Sequence, residues 1–256
     1  FVNTSGIKKT IIRYGIFKPK INKKNALAKF YKKFPKLKNK NFYLFLGRFH
    51  EKKGCETLIK STKIIEQEFK DKILLAGPQN GTNYEKKIKE LSVNYNLNKK
   101  IIFSDMLTNE IKWGAILASK AMVLASHGEN FGVSLVESLS LGKPVLTTNK
   151  VNIHKEILRD KAGFISKDNV YDFANILIKF HKLKNNDLLM LSSLSIITNS
   201  GVILFLIKEC IPRFNPQIEF NLNLPPVLGS GKETMQIGLL IVCAKFKRNL
   251  ASVKVV

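Results

Sequence analysis

From residue 42 onward, short apolar runs alternate with longer segments whose apolar residues recur every three or four positions. Phe42-Tyr43-Leu44-Phe45-Leu46 has the length and composition of a buried strand and stops at Gly47. Glu56 to Phe69 places Leu58, Ile65 and Phe69 on one helical face, and Lys72 to Ala76 reads as a second strand ended by Gly77-Pro78. Tyr84, Ile88, Leu91 and Tyr95 then recur at helical spacing. Ile101 to Phe103 reads as a strand, Asn109 to Ala118 as a helix and Ala121 to Ala125 as a strand. Gly132 to Leu141 reads as a helix closed by Gly142, followed by a strand from Pro144 to Thr148. A short helix near Ile153 to Leu158 and a longer one from Val170 to Lys182 complete the series.

Strands that are apolar on both faces and alternate with helices imply a parallel sheet covered on both sides. The expected fold class is therefore α/β, a Rossmann-like doubly wound sheet whose ligands sit beyond the carboxyl ends of its strands. Two stretches lack this pattern. Residues 1–41 hold one strand-like piece, Thr10 to Phe17, and a Lys-rich run from Lys18 to Lys40 that reads as a linker or the remnant of a preceding domain. Residues 188–256 mix isolated apolar runs with Pro225-Pro226 and carry no assignable fold. That leaves 42–187 as the ordered domain.

Composition sharpens the class. A chain of 256 residues with 45% hydrophobic residues is globular rather than disordered. Its formal net charge of +24 fits either attraction to an anionic partner or a general drift toward Lys. Arginines interleaved with aromatics on one patch would mark a nucleic-acid binder, and no such cluster is seen, so no nucleic-acid partner is expected. Cys55, Cys210 and Cys243 form no CxxC, so neither a disulfide framework nor a zinc site is indicated and a reducing cytosol fits. The start, Phe1-Val2-Asn3, has no initiator Met and no signal-peptide pattern, as expected of a fragment. No apolar run of about 18 residues is present.

Candidate chemistry falls just after the expected strand ends. If a helix opens at Gly132, the amides of Phe131, Gly132 and Val133 are among its unpaired N–H groups, and glycine lets a phosphate approach them closely. Glu137, more than one turn inside, can accept from a ribose diol, and Glu129, before the helix, from sugar hydroxyls. A carboxylate beside a phosphate is favourable only when it bonds hydroxyls, which suits a nucleotide-sugar. Both acids read equally as ordinary loop and helix-surface charges. Upstream, Arg48 and Lys53 lie in a loop bounded by Gly47 and Gly54, where a planar fork and a point charge can reach one diphosphate. His50 and His127 read as loop histidines that bond locally or take a direct part.

Gly47-Arg48 with Lys53-Gly54, Ala76-Gly77-Pro78, Phe103 to Met106, Glu129-Asn130-Phe131-Gly132 with Glu137, and Leu141-Gly142-Lys143-Pro144-Val145 together resemble the carboxy-terminal domain of family-four retaining glycosyltransferases. The resemblance covers roughly residues 42–182 and implies one half of a two-domain GT-B architecture. It implies retaining transfer of a hexosyl group from a nucleoside diphosphate sugar to a saccharide or lipid-linked acceptor, with the leaving phosphate helping to deprotonate the acceptor. No cofactor or metal is implied. Arg48, Lys53 and Glu129 would serve catalysis, the first two on the diphosphate and the third on the donor sugar. Gly47, Asn130, Phe131, Gly132 and Val133 would line the donor, Glu137 would hold the ribose, and Met106 would lie along the base. The basic charge would suit the anionic inner face of a cell membrane.

The sequence departs from the family where an acceptor domain with its Gly-rich loop would precede residue 42, and where a closing helix would follow residue 188. A nucleotide-sugar-binding module that needs a partner is therefore the alternative reading. Other signals fail: Gly229-Ser230-Gly231-Lys232 has Pro226 and Glu233 where a phosphate loop needs Gly and Ser or Thr. No Asp-x-Asp and no Gly-x-Gly-x-x-Gly after a strand is present.

Overall fold

Six short strands of four or five residues, each followed by a helix, build the domain. The computed structural model describes residue 16 and residues 19–184. The strand-like piece from Thr10 to Phe17, Ile16 apart, and the stretch 188–256 lie outside the described residues. The strands are β1 (Phe42–Leu46), β2 (Lys72–Ala76), β3 (Ile101–Ser104), β4 (Ala121–Leu124), β5 (Val145–Thr148) and β6 (Gly163–Ser166). The helices are α1 (Lys23–Lys33), α2 (Cys55–Ile64), α3 (Asn83–Asn94), α4 (Asn109–Ala118), α5 (Val133–Ser140), α6 (His154–Arg159) and α7 (Val170–His181).

All strand pairs are parallel, in the order β3-β2-β1-β4-β5-β6. Parallel neighbours need crossover helices, and those helices cover both faces, so β1, β2 and β4 are buried almost end to end. The core runs from Phe42 and Tyr43 through Phe69, Ile73 and Leu74 to Phe173, Leu177 and Phe180. This is the doubly wound α/β sheet expected from the sequence.

Two elements differ from expectation. The Lys-rich run from Lys18 to Lys40 is not a linker throughout. Asn22 caps α1 by accepting from the Asn25 amide at 3.0 Å, Ala26 and Phe30 are fully buried one turn apart, and the helix packs on α4. Pro35 follows its end, as its effect on the preceding residue requires. The domain thus begins before residue 42. The second is β6, an edge strand that no apolar run announces. Its Gly163 is needed because a Cβ there would lie 2.0 Å from the Val145 carbonyl oxygen.

Candidate functional site

β1 and β4 are neighbours, yet the chain leaves β1 toward β2 and leaves β4 toward β5, on the opposite side. The crossovers after these two strands therefore run to opposite sides, and this switch point is where doubly wound sheets bind ligands beyond the carboxyl edge. Arg48 and Lys53 come from the first loop, and Glu129 to Gly132 from the second.

In the β1–α2 loop, Gly47 donates from its amide to the Ala76 carbonyl at 3.1 Å. Phe49 turns inward, stacks on Phe45 with centroids 6.3 Å apart and meets Phe103 edge-on at 6.1 Å. With Phe49 as anchor, its neighbours Arg48 and His50 are exposed. Arg48 has no hydrogen bond or ion pair among the described residues. His50 opens a 3₁₀ turn over Glu51–Lys53, its Nδ1 accepting from the Lys52 amide at 3.2 Å. The turn closes at Gly54 in the left-handed region, φ 67°, and a Cβ there would sit 1.7 Å from the Ala125 carbonyl oxygen. Only glycine permits that approach, which brings Lys53 to the end of β4.

The β4–α5 loop answers from its side. Ser126 Oγ and the His127 amide both donate to the Lys52 carbonyl, at 2.7 and 2.9 Å. Glu129 is fixed through its backbone: its amide donates to Lys150 at 3.1 Å, and its carbonyl accepts from Asn152 at 3.0 Å. Lys53 Nζ and Glu129 Oε2 form an ion pair whose side chains are only 22% and 18% exposed. Two candidates chosen from separate parts of the sequence thus touch.

Helix α5 opens at Gly132, φ 72°, with no side-chain cap and no acidic residue in its first turn. The Gly132 and Val133 amides have no acceptor among the described residues. Asn130 and Val133 are exposed and Phe131 half-buried beside them. Inside the helix, Glu137 Oε1 accepts from Lys112 Nζ of α4 at 2.7 Å, and that ammonium also lies 4.0 Å from the centroid of the Trp113 ring. Met106, in the β3–α4 connection, is 56% exposed. No hydrogen bond or ion pair joins Arg48, Met106 or Glu137 to the Lys53–Glu129 pair among the described residues.

His127 corrects the sequence reading, for its partners are distant. Nδ1 lies 2.6 Å from Asp168 Oδ1 and Nε2 lies 3.4 Å from Thr57 Oγ1, tying the loop to the β6–α7 connection and to α2. Sequence reasoning missed Asp168, Thr57 and Lys112, because nothing local marks a partner 25 to 70 positions away. A cleft of about 250 Å³ lies on the α2–α3 side, lined among others by Glu51, Lys60, Tyr84, Lys87 and His127 but by neither Lys53 nor Glu129. Cys55, next to this loop, is buried, and its thiol is pushed up to about 12 by that burial, which removes it from nucleophilic chemistry.

The sequence model of the family described as glycosyl transferases group 1 matches residues 28–190. The chain belongs to this family. The match starts inside α1, in keeping with that helix being part of the domain. Among curated relatives of this group 1 glycosyltransferase chain, the alpha-1,3/1,6-mannosyltransferase ALG2 of Dictyostelium discoideum is 24% identical over 166 residues, covering 59% of this chain and 39% of the relative. The capsular polysaccharide biosynthesis glycosyltransferase CapM of Staphylococcus aureus is 29% identical over 157 residues, covering 60% and 40%. The chain thus spans about two-fifths of the length of these relatives. The solved structure of Anabaena HepE in complex with UDP and glucose superposes with a TM-score of 0.63 at 16% identity, over 73% of this chain and 51% of that one. At that identity the likeness is one of fold, that of the carboxy-terminal half of GT-B glycosyltransferases.

Proposed function

We propose that this domain binds a nucleoside diphosphate sugar across the β1–β4 switch point and presents it for retaining transfer of a hexose to a saccharide or lipid-linked acceptor. The observation that carries the reading is the meeting of Lys53 and Glu129 beside the uncapped start of α5. A cation, a carboxylate and free amides in one place match a diphosphate joined to a sugar. The diphosphate takes Arg48, Lys53 and the amides of Gly132 and Val133, with the α5 dipole adding about 0.3–1 kcal/mol. Charge that builds on the leaving diphosphate is met by the same cations, and removal of one such group costs about 10²–10³ in rate. Glu129 accepts from sugar hydroxyls, Glu137 from the ribose, and Met106 lies along the base. The diphosphate charge is met by side chains and amides alone, so the reading invokes no metal.

Support for the sugar-transfer chemistry comes from the family match and from relatives named as mannosyl- and polysaccharide-synthesising transferases. The nucleotide class draws on HepE, which holds UDP and glucose. Calorimetry with UDP, GDP and ADP and their sugars tests it. Saturable binding of one nucleotide series, weakened in Arg48→Ala, is the expected result; no binding by any series ends the reading.

An anionic membrane surface is the proposed location. Between Pro19 and Lys40 the chain holds nine lysines and no acidic residue. Lys29 pairs with Glu110 at 3.1 Å, while the others have no carboxylate partner among the described residues. Among the described residues no helix is long and apolar enough to cross a membrane; these lysines would make the attachment electrostatic. Sedimentation with anionic but not neutral vesicles, reduced by salt, is expected; equal recovery with both opposes it.

A further inference from the structure

We infer that the Lys53–Glu129 ion pair discriminates a sugar-bearing nucleotide from the bare nucleoside diphosphate, with Glu129 acting against the bare form. The inference rests on the donor-site reading above and deepens it. Its basis is an asymmetry between the two partners. Glu129 is held by backbone hydrogen bonds on both sides, from its amide to Lys150 and from Asn152 to its carbonyl, in a parallel bridge with Val151. The Lys53 amide is likewise bonded, to the His50 carbonyl at 2.8 Å, so the difference lies in the side chains: the Glu129 carboxylate sits on a two-carbon stem and has the shorter reach. Lys53 ends a short 3₁₀ turn and reaches Glu129 through a flexible four-carbon stem with three donors on its head. When an anion enters, Lys53 is the partner that can turn to it.

What happens next depends on the ligand. A bare diphosphate draws Lys53 away and leaves a four-fifths-buried carboxylate facing further negative charge with no hydroxyl to bond. A nucleotide-sugar draws Lys53 in the same way but supplies hydroxyl donors to Glu129, so the carboxylate passes from one charge-assisted partner to another. The pair therefore penalises the spent nucleotide selectively, which favours its release. Neutralising Glu129 without changing its shape should move the two ligands in opposite directions. A purely structural salt bridge cannot produce that pattern.

The test measures dissociation constants of the full chain for UDP and UDP-glucose, and for GDP and GDP-mannose, at fixed ionic strength. Glu129→Gln should bind the bare nucleotide several-fold tighter and the nucleotide-sugar about tenfold weaker. Equal weakening of both ligands by Glu129→Gln, in protein whose circular dichroism matches the wild type, overturns the inference while sparing the donor site. Should Glu129→Gln not fold, Glu129→Asp keeps the charge and must preserve the wild-type preference for the sugar-bearing form; a reversed preference overturns the inference. Failure of every nucleotide to bind the wild type overturns the donor-site reading itself.

Discussion

The two edges of the parallel sheet treat lysine in opposite ways. At the amino edge, lysines meet carbonyls and acids left by the ends of helices and loops. Lys100 Nζ donates to Glu66 O at 2.7 Å and to Phe69 O, and Lys143 Nζ to Ser119 O, at the end of α4, at 2.9 Å. Lys120 pairs with Asp71 at 3.0 Å, which also faces His181 at 3.1 Å. Cations there suit the negative ends of helix dipoles, and they serve the fold. At the carboxyl edge, Arg48 and Lys53 stand near helix starts, where the dipole opposes a cation. Arg48 has no partner among the described residues, and Lys53 has one acid drawn from another loop. In a chain crowded with lysine, charge placed against the local dipole marks the proposed binding groups off from scaffolding better than charge alone.

The strongest way to break this contrast is to damage the junction that builds the carboxyl edge. Gly54→Ala would force a Cβ into the Ala125 carbonyl at a positive φ, and should cost about 3 kcal/mol or more in urea unfolding. A loss below ~1 kcal/mol would mean that the loop can move away from β4. Arg48→Ala against Lys100→Met sharpens the contrast directly. The first should weaken nucleoside diphosphate binding roughly 10- to 100-fold, hurt nucleoside binding far less, and leave the melting temperature unchanged. The second should leave binding intact and lower stability by about 1–2 kcal/mol, since it strips two carbonyls of their donor.

Glu137→Gln stands between these cases, because the acid is both a candidate ribose ligand and the partner of Lys112. About tenfold weaker nucleotide binding with a loss near 1 kcal/mol is expected. A larger loss of stability with unchanged binding would assign it to the α4–α5 contact alone. The smallest effect belongs to Glu56, whose carboxyl is held below its usual range chiefly by the hydrogen bond from Lys60, with Lys87 second. Being depressed in the fold, it stabilises above the ordinary carboxylate range, and that gain fades as pH falls through the lowered value. Glu56→Gln should therefore cost ~0.5 kcal/mol at pH 7 and nothing in acid, read from melts across pH.

Apart from β6, strand and helix positions from β1 to α7 were legible because burial on both faces writes apolar runs, as in Phe42 to Leu46, and α4 falls at the bounds its periodicity predicts. Helix α1 was hidden because lysines fill its solvent sides, leaving only Ala26 and Phe30 to mark the core face. Asn22 before it and Pro35 after it were the available signals. Strand β6 was hidden because an edge strand is half-exposed and here starts with glycine. Of the site, the loop residues could be read from their position after strand ends. Their mates could not: Lys112 to Glu137, Asp168 to His127 and the choice of Glu129 for Lys53 are tertiary events with no sequence periodicity.

One bond pattern reaches further than its size suggests. A single carbonyl, that of Lys52, receives Ser126 and His127 from across the strand gap, and Gly54 lets the two stretches lie against each other. The loops after β1 and β4 are thereby joined through their backbones. On the donor-site reading, a nucleotide would meet loops whose backbones are already joined, and would have only side chains such as Arg48 and Lys53 left to order.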